Sequence, residues 1–128
     1  MLQDYTHRVL EWIEYHLALG ISGLLWFDHG SADNLLEVVK PYNNVFVIPF
    51  DYTVRSLNER RNAQRMALTI GSTVLQSQCQ WICLIDADEF IYLPRDTGCP
   101  LGVFLQRYNS YPAVTLKSKL LTNKRHET

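Results

Sequence analysis

The chain reads as an α/β protein, an open, mostly parallel sheet with flanking helices. Three observations predict it. Short apolar runs alternate with segments of helical periodicity, the pattern of a sheet covered by helices. Three of those runs end in or are soon followed by acids, at Asp28, Asp51 and Asp86. A long segment opening with Ser56-Leu57-Asn58-Glu59 carries a capping-box signature ahead of an amphipathic stretch. With 128 residues, 47% hydrophobic and 20% charged, the chain has the size and composition of one domain rather than two, spanning 1–128.

From the N-terminus, Val9, Trp12, Ile13, His16 and Leu17 share one helical face over roughly the first twenty residues. Gly20 follows where a C-cap is expected. Leu24-Leu25-Trp26-Phe27 is a buried strand that stops at the turn cluster Asp28-His29-Gly30-Ser31. Leu35, Leu36, Val38 and Val39 predict a short helix ended by Pro41, with Ser31 or Asp33 as its cap. Val45-Phe46-Val47-Ile48 is a second buried strand, closed by Pro49. In the long helix after Ser56, Ala63, Ala67, Ile70 and Val74 form the stripe expected to face the sheet. Trp81-Ile82-Cys83-Leu84-Ile85 is the strongest strand-like run and enters Asp86-Ala87-Asp88-Glu89-Phe90. Pro94, Gly98 and Pro100 mark a loop, Leu101 to Tyr108 a short helix, and Ala113 to Leu116 a last strand. The tail from Thr122 is polar and expected to fray.

A net charge of −1 offers no basic excess to neutralise a phosphate backbone, so nucleic acid is not an expected partner. Cys79, Cys83 and Cys99 are odd in number and contain no CxxC, which fits neither a disulfide framework nor a zinc site; Cys83 reads as a small core residue. Asp4, Arg8, Glu11 and Glu14 interrupt any signal-like apolar stretch. No run reaches the ~18–20 apolar residues of a membrane span. Localisation stays open: cytoplasmic if the chain is complete, Golgi or membrane-anchored if an upstream anchor has been lost.

The sharpest chemical signal is Asp86-Ala87-Asp88. If the chain stays extended, alternation turns both carboxylates to one side. Two such groups repel unless a cation lies between them. Mg²⁺ or Mn²⁺ suits an all-oxygen site shared with substrate phosphates. Taken alone, a D-x-D pattern is more often a pair of solvated turn acids; behind a buried strand it reads as a divalent-cation site. Glu89 is a third acid, either an outer support or a cap of the turn.

The second constellation runs from Asp28 through Ser31 to Asp33. A strand, a Gly turn and a helix start make a nucleotide-binding edge, because helix N-terminal N–H groups are free there. The same residues serve equally as a plain turn and cap. Arg60, Arg61 and Arg65 form the third. They oppose the helix dipole, which favours a functional reason for at least one, such as pairing with a diphosphate. Trp12 and His16 are four apart on the apolar face, so His16 reads as a packed, satisfied histidine rather than a metal ligand.

In this order, the three constellations resemble the family 2-like and family 92 glycosyltransferases of GT-A fold. The resemblance rests on Glu11-Trp12-Ile13-Glu14-Tyr15-His16 running to Gly20, on Leu25-Trp26-Phe27-Asp28-His29-Gly30-Ser31-Ala32-Asp33, and on Trp81 to Phe90. It implies a GT-A-type, Rossmann-like domain that is incomplete. It implies that Asp86 and Asp88 hold the metal and the sugar nucleotide, that Asp33 contacts the nucleotide, and that Arg65 lies near it. Asp28 and Ser31 belong to the same nucleotide edge. The implied reaction moves a sugar from a nucleotide-diphosphate donor to an acceptor hydroxyl, on a glycan or another molecule. His29 and Ala32 depart from the family's usual Asn and Thr. Met1 to His7 has neither the strand nor the Asn-Glu that opens the family pattern, and the acceptor region lies beyond the part matched. Two other readings compete: a nucleotide-binding scaffold of the same fold without turnover, and another nucleotide-using enzyme such as a nucleotidyltransferase, against which the missing Gly-rich signature argues.

Overall fold

The computed structural model describes residues 2–28, 35–50 and 55–120, with side chains described from residue 7 onward. The architecture is mixed α/β. Helix α1 (Leu2–Ala18) leads to strand β1 (Leu24–Asp28), helix α2 (Leu35–Val39), strand β2 (Val45–Pro49), helix α3 (Leu57–Leu75) and helix α4 (Leu101–Gln106). β1 and β2 pair in parallel, Leu24 opposite Val45 through Asp28 opposite Pro49. Their carboxyl ends therefore coincide, and the Phe50 N–H donates to the Asp28 carbonyl at 2.7 Å to extend the pairing.

α1 forms where its apolar spacing requires. Val9, Trp12, Ile13 and His16 are buried, Ile13 and His16 completely. They pack with Leu24 of β1, Leu35 and Val39 of α2, and Val45 of β2. The helix ends in a Schellman motif: the Gly20 N–H donates to the Leu17 carbonyl (3.0 Å) and the Ile21 N–H to the His16 carbonyl (3.2 Å), with Gly20 at φ 92°. A second cluster of Ile91, Leu93 and Leu101 is joined to the first through Ile21 and Ile85. The Leu101 N–H donates to the Leu19 carbonyl at 2.8 Å, tying the start of α4 to the end of α1.

α3 starts as its sequence predicts. Ser56 Oγ accepts from the Glu59 N–H at 3.2 Å. The reciprocal arm is displaced by one residue: the Glu59 carboxylate accepts from the Arg55 N–H at 2.6 Å rather than from the cap itself. The packed face differs from the expected stripe. Ala63, Ala67 and Gly71 are buried, whereas Ile70 and Val74 are exposed. A Cβ on Gly71 would stand 3.2 Å from the Phe27 ring. The helix approaches β1 too closely there for larger side chains, so small residues at i, i+4 and i+8 set the contact.

The expected larger sheet is not formed among the described residues, where the two-stranded pair is the only sheet. Trp81–Ile85 and Ala113–Leu116 carry no ladder. An apolar run supplies burial but not a partner, and a strand exists only where a second chain edge takes its N–H and C=O groups. Cys83 and Leu84 are consequently exposed, and Ile85 alone of that run bridges the two apolar clusters. Cys79, Cys83 and Cys99 are free thiols. No helix among the described residues is long and apolar enough to cross a membrane.

Candidate functional site

Asp86 to Glu89 is a tight turn rather than the end of a strand. The Glu89 N–H donates to the Asp86 carbonyl at 3.1 Å. The Glu89 carboxylate accepts from the Asp86 N–H at 3.2 Å. Two bonds of opposite sense thus close the turn, and of the two roles open to Glu89 it takes that of cap. The alternation argument for Asp86 and Asp88 does not apply inside such a turn, because the chain reverses between them. Both aspartates are exposed.

Asp88 lines a cleft of about 430 Å³ together with Arg8, Val9, Glu11, Trp26, Ala87 and Phe90. Three elements meet there: α1, β1 and the acidic turn. Trp26 is held edge-on against Trp12, ring centroids 5.4 Å apart. Arg8 and Trp26 carry no local sequence signal for this role. They reach the turn only through the packing of α1 on β1.

Asp28 ends β1 at the carboxyl edge of the pair. Ser31 and Asp33, with His29 and Asp51, lie outside the described residues. Arg65 is exposed on α3, away from the buried Ala63, Ala67 and Gly71 face, and is not part of the cleft wall. Among the described residues no group of three or more His, Cys, Asp or Glu converges to hold a metal ion. The donors that the turn does offer are two exposed carboxylates one residue apart. Mg²⁺ characteristically takes one or two protein carboxylates and completes its shell with water and substrate phosphates.

His16 lies beside this turn without belonging to it. Its Nδ1 is 2.8 Å from the Trp12 carbonyl, and its Nε2 is 3.5 Å from the Ile91 N–H. The neutral ring with the proton on Nδ1 satisfies both contacts, donating at one nitrogen and accepting at the other. Burial pushes its pKa below the ordinary 6.5, partly offset by the bond to Trp12. The native state therefore resists protonation that the unfolded chain accepts. Stability is fully present above about pH 6.5 and falls as pH drops from there through the lower native value. The urea midpoint should decrease between pH 7.5 and 5.5. In His16→Gln that part of the slope should vanish; an unchanged slope would remove His16 as its source.

Fold and site together define a mixed α/β protein with a capped acidic turn on the wall of a cleft. The sequence model described as Glycosyltransferase family 92 matches residues 2–126, and the chain belongs to that family. It is similar to a family 92 protein of Ricinus communis, 31% identical over 104 residues that cover 77% of this chain and 16% of the relative. One from Oryza sativa subsp. japonica is 28% identical, covering 89% and 18%. One from Arabidopsis thaliana is 26% identical, covering 89% and 20%. The chain thus spans about a fifth or less of the length of these relatives. No solved structure matches it.

Proposed function

We propose that this chain is the donor-binding portion of a glycosyltransferase of GT-A type, binding a nucleotide-diphospho-sugar with Mn²⁺ or Mg²⁺. The observation that carries the reading is Asp88 on the cleft wall, in a turn whose geometry is fixed from both ends. Asp86 and Asp88 would hold the cation, and their hard oxygen donors fit it. When bound, the ion would neutralise charge on the departing diphosphate. In the transfer, the bond from the sugar's anomeric carbon to the phosphate oxygen breaks with its electron pair going to the nucleoside diphosphate. A bond forms from the acceptor hydroxyl oxygen to that carbon, and the hydroxyl proton leaves to a base. Asp33 and Arg65 are proposed nucleotide contacts on the strength of family resemblance, and Asp28 and Ser31 as parts of the same strand–turn–helix edge. For Arg65, a role requires the side chain to reach the ligand from the exposed side of α3.

Calorimetric titration with UDP and GDP, with and without Mn²⁺, tests this. Binding should require the metal, and Asp88→Ala should abolish it. Equal binding by the variant, or none by the wild type, would refute the donor-site assignment.

A further inference from the structure

We propose that Trp12, Tyr15 and His16 are positioning residues that stand in for a neighbouring strand and hold the acidic turn in its binding geometry. This inference rests on the donor-site reading above and adds to it the device that fixes the site.

The segment after the turn has the needs of a strand edge without a strand beside it. In extended chain, the N–H and C=O of residues i and i+2 leave on the same side and require partners there. Here those groups are the Glu89 carbonyl and both backbone groups of Ile91, and α1 supplies all three partners. Trp12 Nε1–H donates to the Glu89 carbonyl at 2.7 Å. The Tyr15 hydroxyl donates to the Ile91 carbonyl at 2.6 Å. The Ile91 N–H points to His16 Nε2 at 3.5 Å, the longest and weakest of the set. Phe90, between them, lies edge-on to Tyr15 (5.1 Å) and stacked on His16 (5.8 Å, 20°). Positions 12, 15 and 16 fall at i, i+3 and i+4, so one helix face presents all three side chains.

The coupling to the turn passes through Glu89. Its carbonyl is gripped by Trp12, while its own N–H and carboxylate close the loop back to Asp86. Freeing the carbonyl loosens the residue that sets where Asp86 and Asp88 stand. A second consequence follows for sequence: the Trp-x-x-Tyr-His spacing on α1 and the Asp-x-Asp-Glu-Phe-Ile segment act as one unit although more than seventy positions separate them.

The test uses Trp12→Phe, which keeps an aromatic ring but removes the Nε1–H donor, and Tyr15→Phe, which removes only the hydroxyl. Val39→Ala, in the same core but away from the turn, serves as the control for stability loss. Titration with UDP and Mn²⁺ well below each thermal midpoint should show roughly tenfold weaker binding in Trp12→Phe, the scale seen when an outer partner of a metal site is lost. Tyr15→Phe should weaken it in the same direction, and Val39→Ala should bind as wild type despite a lower midpoint. Amide exchange should accelerate at Glu89 and Ile91 in Trp12→Phe and stay unchanged in β1 and β2. Wild-type affinity in both aromatic variants would overturn the positioning role and leave the donor site standing. Absence of binding by the wild type would overturn the donor site, and this role with it. Equal weakening in Val39→Ala would also overturn it, by showing that binding follows stability alone.

Discussion

Ile13→Ala should cost about 2–5 kcal/mol of folding stability, a large fraction of the roughly 5–15 kcal/mol typical of a domain. Ile13 is completely buried at the centre of the larger cluster, where α1 meets β1, α2 and β2. Truncation removes three carbons from a packed interior, and the surroundings can collapse only partly into the space. The smaller Ile91, Leu93 and Leu101 cluster does not fill the gap, because Ile13 is not among its members and the apolar side chains the two clusters share are Ile21 and Ile85. Ile13→Val should cost about 0.5–1.5 kcal/mol by the same reasoning. Urea denaturation monitored by tryptophan fluorescence measures both. An alanine variant within about 1 kcal/mol of wild type would mean that Ile13 is not the keystone its burial indicates.

The features readable from sequence are those fixed by local periodicity. The face of Val9, Trp12, Ile13 and His16, the cap at Gly20, the runs that become β1 and β2, and the Ser56 cap all depend on spacings of a few residues. His16 reads as a packed histidine because it lies one turn from Trp12 on the same apolar face, and in the structure its Nδ1 is 2.8 Å from the Trp12 carbonyl. What spacing does not contain is the partner of an edge. Trp81–Ile85 has the composition of a buried strand, yet its continuation is held by side chains of α1 from far earlier in the chain. For the same reason Asp86 and Asp88 were identifiable as a pair while their geometry was not: a turn closed by Glu89 replaces the alternation an extended chain would impose. On α3, hydrophobicity pointed to Ile70 and Val74, but close approach of the helix to Phe27 selects Gly71. The cleft adds Arg8 and Trp26, to which the sequence assigns no site role, since they become neighbours of Asp88 only in three dimensions.

Three glycines separate backbone strain from steric contact, and the largest loss should fall where the two coincide. Gly20 has φ 92°, and a Cβ there would lie 3.2 Å from Pro100 Cβ and 3.6 Å from its Cα. Gly98 has φ 84° with nothing within 4 Å of an added Cβ. Gly71 is helical, and its Cβ would meet the Phe27 ring at 3.2 Å. Gly98→Ala should therefore carry the left-handed penalty alone, roughly 1–2 kcal/mol. In Gly71→Ala the helix gains about 0.5–1 kcal/mol from the lost backbone freedom of glycine, offset by displacement of the ring, so the net should stay within about 1 kcal/mol of wild type. Gly20→Ala combines both penalties, roughly 2–4 kcal/mol. Its neighbour is a proline, which has no long flexible side chain to swing aside. Relief by moving the backbone would pull on the Leu101 N–H bond to the Leu19 carbonyl and separate α1 from α4. Gly20→Asn, which tolerates the left-handed region, should recover part of the strain but not the contact. Thermal midpoints of the four variants give the ranking. If Gly20→Ala were no worse than Gly98→Ala, the close seating of the α1 cap on Pro100 would be refuted.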